Sequence, residues 1–196
     1  MRKNIGRPKA FDENEALEKA MYYFWEHGYE SAGLTDLLRA MGIKKSSFYQ
    51  TFESKENLFR MSLELYTQNS EAYFNAQKEQ HGAKGALIEL MNLLLKEVQN
   101  TGHTKGCLVM NSGGECYAKF GHLSPLVQAK FKDFQKLFMS FIVEAQELND
   151  IDPKKDAFEL VTVYQSIING ASAMVRAGAG EKEVSVLVAQ VKELLQ

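Results

Sequence analysis

No apolar run in this chain approaches the roughly 20 residues needed to cross a bilayer, and the opening MRKNIGRPKAF lacks the apolar core of a secretory signal. The expected location is therefore the cytoplasm. Only two cysteines occur, Cys107 and Cys116, which in a chain without an export signal read as reduced thiols and not as a structural staple. If they share one helix, nine residues of separation place them about 13 Å apart on opposite faces, beyond the reach of a disulfide. The four histidines, His27, His81, His103 and His122, form no H-x-x-x-H and no Cys/His cluster with zinc spacing. There is no G-x-S-x-G, no phosphate-binding loop and no dinucleotide fingerprint. These absences propose no catalytic residue, no metal and no cofactor. An enzyme drawing its acid and base from distant helices would leave no local motif, so that class stays open. Internal repeats, low-complexity tracts and alternating strand patterns are missing too.

What is present is an ordinary globular composition, 45% hydrophobic and 24% charged over 196 residues, patterned with helical periodicity throughout. The reading is all-α: a small N-terminal domain over residues 1–53, and a larger helical bundle over residues 54–196. The net charge of −2 and a pI near 6.1 argue mildly against a nucleic-acid partner. Positive charge is nevertheless local. Arg2, Lys3, Arg7 and Lys9 crowd the first ten residues, and Lys44, Lys45 and Lys55 gather around one later segment. Screening over about 8 to 10 Å makes distant acids matter little to such a face.

That segment is TDLLRAMGIKKSSFYQTFESK, Thr35 to Lys55. Leu37, Leu38 and Met41 recur at helical spacing behind Thr35, a candidate N-cap. Gly42 is placed to end the first helix in a left-handed conformation, with Ile43 as an apolar plug behind it. Phe48 and Phe52, four residues apart, fall on one side of a second helix because each residue advances it by about 100°. The opposite side presents Ser46, Ser47 and Gln50, with Tyr49 on its flank. These are hydroxyls and an amide suited to base edges, and a phenol long enough for a phosphate. Lys44 and Lys45 stand at this helix's N-terminus, where free N–H groups already favour an anion. Lys55 repeats the device after Ser54, the expected cap of the next helix. The plain alternative is a surface helical hairpin with ordinary polar residues. The basic arm before it reads as a frayed terminus, or as an arm whose Arg7 and Lys9 follow the adjacent minor groove.

Together with its flanks, from Phe11 to Phe59, this segment resembles the N-terminal domain of the TetR family of bacterial repressors across about fifty residues. The resemblance rests on Phe24, Gly28-Tyr29, Thr35, Gly42-Ile43, Phe48-Tyr49, Phe52, Ser54-Lys55-Glu56 and Leu58-Phe59. It implies a three-helix domain with a helix-turn-helix at about residues 33–52, and a C-terminal ligand-binding and dimerisation bundle. It further implies that the helix holding Phe48 to Phe52 enters the major groove, and that Thr35, Tyr49 and Lys55 match phosphate-gripping positions. Lys44 stands where a capping Ser or Thr is more usual, and Thr51 where a His is common, so the operator sequence is not implied.

Along the rest of the chain, Asp12 and Glu15 form a capping-box pattern at the first helix, whose stripe Ala16, Leu17, Ala20, Met21, Phe24 and Trp25 stops at Gly28. A long helix is expected from Ser54 to about Gln80, ahead of His81-Gly82. Ala86 to Val98 is apolar over most of its circumference, the mark of a buried helix. Leu126 to Leu148 carries Phe131, Phe134, Phe138 and Phe141. Asp152-Pro153 is expected to open a helix to about Arg176, and Val184 to Leu195 forms the last. Two terminal helices this apolar call for a partner on one face, most economically a second copy related by a twofold axis.

The segment from Lys105 to Ser112, with Gly106-Cys107-Leu108 at its head, resembles a subset of the same family that senses electrophiles or oxidants. A helix starting near Gly106 would set Cys107 in its first turn beside Lys105, favouring thiolate. The alternative is a buried, inert thiol. The leading expectation is a DNA-binding regulator that binds a palindromic operator as a dimer and is released by a small-molecule or thiol-reactive effector. Its rivals are a helical thiol-dependent enzyme or peroxide scavenger using Cys107, and a protein-binding helical adaptor.

Overall fold

The computed structural model describes residues 11–196, which contain eight α-helices and no strand. The chain divides into two compact units, Met1–Leu65 and Tyr66–Gln196.

The first unit holds α1 (Glu13–Ser31), α2 (Leu34–Met41), α3 (Lys45–Phe52) and the first turns of α4 (Lys55–Thr101). Asp12 caps α1 as expected, its carboxylate accepting from the N–H groups of Asn14 at 2.8 Å and Glu15 at 3.2 Å. The Glu15 carboxylate, expected to close a box on Asp12, pairs with Lys19 one turn on at 2.6 Å. Gly28 interrupts α1, and one further helical turn runs to Ser31. The core is aromatic. Phe24 meets Phe59 edge to face at 5.1 Å, and Tyr29 tilts onto Phe59 at 4.8 Å. Leu37, Phe48, Phe52 and Leu58 are completely buried among the same helices. Each such side chain contributes about 1.5 to 3 kcal/mol relative to exposure.

The second unit begins inside α4. Gly82, at φ 72° and ψ 169°, occupies a region open only to glycine and breaks α4 into two rods where the sequence placed its end. In the second rod the buried stripe is Leu87, Met91, Leu94 and Val98, whereas Leu93 is 45% exposed. The expectation that this helix is enclosed on all sides is thus corrected. Residues at i, i+4, i+7 and i+11 cover one face, and the remaining leucines lie off it.

Next come α5 (Leu108–Lys119), a short 3-10 turn at Gly121–Leu123, α6 (Ser124–Glu147), α7 (Ala157–Arg176) and α8 (Glu181–Leu194). An aromatic chain threads this unit. Phe74 packs on Phe138 at 5.3 Å, Phe138 meets Tyr164 edge to face at 5.3 Å, and the Tyr164 hydroxyl donates to the Leu87 carbonyl at 2.9 Å. Helix α7 does not open at Pro153. Asp152 folds into a local turn by accepting from the Lys154 N–H, and Asp156 caps the helix by accepting from the Glu159 N–H at 2.8 Å. A second Asp four residues on offered the better cap because nothing after it breaks the helical pattern.

Candidate functional site

The helical pair in the first unit is built as its glycine suggests. Gly42 at φ 70° ends α2 with its N–H on the Arg39 carbonyl, while the Ile43 N–H reaches back to the Leu38 carbonyl. This is the paired bonding of a Schellman close, and Ile43 is buried behind it. One expectation fails. The N-cap of α2 is Gly33, and Thr35 is the second residue of the helix, exposed on its first turn. Its hydroxyl therefore faces outward at a helix N-terminus and does not cap the backbone.

On α3, Phe48 and Phe52 turn inward with no exposure, 6.0 Å apart ring to ring. Lys44 is the N-cap and Lys45 the first residue, both exposed. Ser46, Tyr49 and Gln50 are exposed, and Ser47 and Thr51 are partly so. Tyr49 stands edge-on to Phe48 at 5.2 Å, which props the phenol on the helix flank. The structure thus brings Lys44, Lys45, Ser46, Ser47, Tyr49, Gln50 and Thr51 onto one short helix. Arg7 and Lys9 lie outside the described residues.

The exit from α3 is abrupt. Glu53 adopts φ 63° and ψ −49°, and the Ser54 N–H bonds the Phe52 carbonyl at 2.6 Å, a γ-turn of the rarer, strained hand. Ser54 then caps α4 by accepting from the Asn57 N–H at 3.0 Å. Lys55 begins the helix. Its ammonium lies 4.4 Å from the centre of the Tyr29 ring and 3.5 Å from the Glu30 carbonyl.

The second candidate lies around Cys107, the N-cap of α5. Burial pushes its thiol above the ordinary value and outweighs everything that favours thiolate: the Met110 N–H, the Tyr66 hydroxyl, the Val109 N–H and the Arg176 guanidinium. The expected thiolate is therefore corrected to a protonated thiol. A single helix terminus offers partial charges, whereas the loss of water around the half-buried thiol costs more. Tyr66, itself pushed up by burial and by Cys107, donates to the sulfur and accepts from the Leu108 N–H and the Ser70 hydroxyl. Local sequence gave no sign of Tyr66 or Arg176, which lie 41 and 69 positions from Cys107. Cys116 is fully buried and its thiol is pushed up to about 11 by burial and then by Glu115. Both thiols are free. Nearby, α5 and α6 frame an open apolar recess of about 220 Å³ between Val109, Met110, Tyr117, Val127 and Phe131. Among the described residues no cluster of three metal-ligating side chains occurs, and no helix is long and apolar enough to cross a membrane.

Comparison with known proteins agrees with this geometry. Residues 16–61 match the family model described as bacterial regulatory proteins, tetR family, and residues 83–189 match the tetracyclin repressor-like C-terminal domain. The HTH-type transcriptional repressor ComR of Escherichia coli K12 is 31% identical over 181 residues, covering 91% of this chain and 86% of ComR. A cysteine-substituted variant of the TetR family regulator CifR, solved with 26-base-pair double-strand operator DNA, is 28% identical. It superposes with a TM-score of 0.80 over 97% of this chain and 98% of CifR. The reduced form of NemR from Escherichia coli has the same TM-score at 19% identity, with 93% and 96% of the two chains covered, a likeness of fold alone. With matched models at both ends and a relative aligned over nearly its whole length, the chain belongs to the TetR family of bacterial regulatory proteins.

Proposed function

We propose that the protein is a repressor that binds a palindromic operator as a homodimer and leaves it when an effector binds the second unit. The observation that carries this reading is α3: two phenylalanines wholly buried beneath Ser46, Ser47, Tyr49 and Gln50, with Lys44 and Lys45 at its N-terminus. The small polar groups read base edges, while Thr35, Lys44, Lys45, Tyr49, Thr51 and Lys55, with Arg7 and Lys9 of the arm, engage the backbone. The operator complex of CifR supports the assignment of this face to duplex DNA. Residues 1–53 form the reading domain in this scheme, and residues 54–196 the regulatory one.

One reading helix discriminates only a few base pairs, at about 1 to 3 kcal/mol each, which is too little to find one site in a genome. A twofold pair doubles the contacts. The surface available for pairing is on α7 and α8, where Phe158, Val163, Met174 and Val186 are exposed, Phe158 to 60%. The effector class is a small molecule or a thiol-reactive compound. A small apolar molecule has the recess beside Met110. A thiol-reactive one has Cys107, where an adduct would displace the Tyr66 hydroxyl and with it α4. Full release requires the effector to favour the non-binding form by about 5.5 kcal/mol.

Selection of bound duplexes from a random pool tests the reading. Recovery of a twofold-symmetric sequence, with retention that falls steeply in salt and is lost in Tyr49→Ala, is the expected result. Equal retention of Tyr49→Ala and wild type would overturn it. Challenge of the complex with an electrophile, in wild type and Cys107→Ser, then decides between the two effector classes.

A further inference from the structure

Among the described residues of the proposed DNA face, the Lys55 ammonium is the cation placed against an aromatic ring, that of Tyr29. Tyr29 follows Gly28, where α1 is interrupted, so its ring is carried by a separate terminal turn of that helix. The ring is buried at 8% exposure and packed between Phe24 at 6.1 Å and Phe59 at 4.8 Å. The Lys55 ammonium sits 4.4 Å from its centre, and the carbonyl of the next residue, Glu30, accepts from the same ammonium at 3.5 Å. Behind Lys55, the Ser54 hydroxyl takes the Asn57 N–H, which sets the helix N-terminus in place.

A lysine carries a flexible four-carbon stem and loses about 2 kcal/mol of rotamer freedom when fixed. A ring that already restrains the ammonium reduces what remains to be lost when a phosphate arrives. From this geometry we infer that Tyr29 is a positioning residue for DNA binding: its ring face holds the Lys55 ammonium at the start of α4, ready for a backbone phosphate. The inference rests on the DNA-binding reading above and adds to it a buried residue that touches no DNA. The contact that carries it is with the ring's negative face.

The test uses the full-length protein and a duplex selected from a random pool by the wild type. Position 29 carries in turn Phe, 3,5-difluorophenylalanine and 3,4,5-trifluorophenylalanine, which withdraw charge from the ring face while keeping its shape. Affinity is expected to match wild type in Tyr29→Phe and to fall with fluorination by about twofold to fivefold in all, the size of a partly exposed cation–π contact. Lys55→Met is expected to lower the slope of log Kd against log salt by about one. In that background fluorination is expected to change nothing. A fluorine effect that persists in Lys55→Met, no fluorine effect with Lys55 present, or an unchanged salt slope in Lys55→Met would each overturn the inference. Failure of the wild type to retain any duplex would instead remove the DNA-binding reading itself.

Discussion

At the scale of single residues, environment decides chemistry more than sequence neighbours do. Cys107 follows a lysine and a glycine and heads a helix, which together suggest an activated thiolate. Its surroundings come from elsewhere: Tyr66 from α4 and Arg176 from the end of α7. Burial of the sulfur wins over both. Because the thiolate is the reactive species, alkylation of Cys107 is expected to be slow at pH 7 and to keep rising through pH 9, with its midpoint above the ordinary thiol value. Stopped-flow or mass-spectrometric labelling against pH checks this, and a plateau below pH 8 would contradict it. Cys116, with no exposed surface, is expected to label only on unfolding. Tyr29 gives the same lesson in reverse. The pair Gly28-Tyr29 is visible as a family feature, but the ring's contact with Lys55 spans 26 positions and leaves no local spacing to read.

Single elements were more legible, because helical spacing and turn residues act over a few positions. The division of α3 into a buried pair and an exposed polar face follows from Phe48 and Phe52 alone, as does the close of α2 at Gly42. Where expectation and structure part, two local solutions competed. Thr35 and Gly33 both precede the α2 stripe, and Asp152 and Asp156 both precede that of α7; in each case the chain uses the residue that extended geometry reaches. The two faces of α3 predict opposite phenotypes. Phe48→Ala is expected to destabilise the first unit by about 3 to 5 kcal/mol through the cavity it leaves, seen as a lowered thermal midpoint. Tyr49→Ala, on the exposed flank, is expected to change stability by less than about 0.5 kcal/mol while abolishing duplex retention. Glu53→Gly is expected to raise the thermal midpoint, since glycine removes the strain of that left-handed φ, worth about 1 kcal/mol or more.

At the scale of the whole molecule, the family resemblance rests on about fifty residues and the all-helical reading on periodicity along the chain. Apolar residues in excess on α7 and α8 pointed to a partner without identifying which side chains meet it. The apolar side chains exposed on these helices, which the proposed dimer would use, are Phe158, Val163 and Met174 on α7 and Val186 on α8. Val163→Glu with Met174→Glu is expected to shift the protein from dimer to monomer in sedimentation or light scattering. Operator affinity should fall with it, while the helical circular dichroism of each unit remains. A double variant that stays dimeric would place the interface elsewhere. The net charge of −2 predicts that attraction to DNA is confined to one face, so binding is expected to collapse between about 50 and 200 mM salt.

The eight residues of α3 are bracketed by Gly42 on one side and Glu53 on the other, two bends in a positive-φ backbone that no helix can run through. The probe is therefore cut to a fixed stock of about 12 Å, with no slack to lengthen it. On the proposed DNA-binding reading, new targets would be reached by exchanging the letters carried at positions 46, 47 and 50, as a stamp is re-cut without changing its handle.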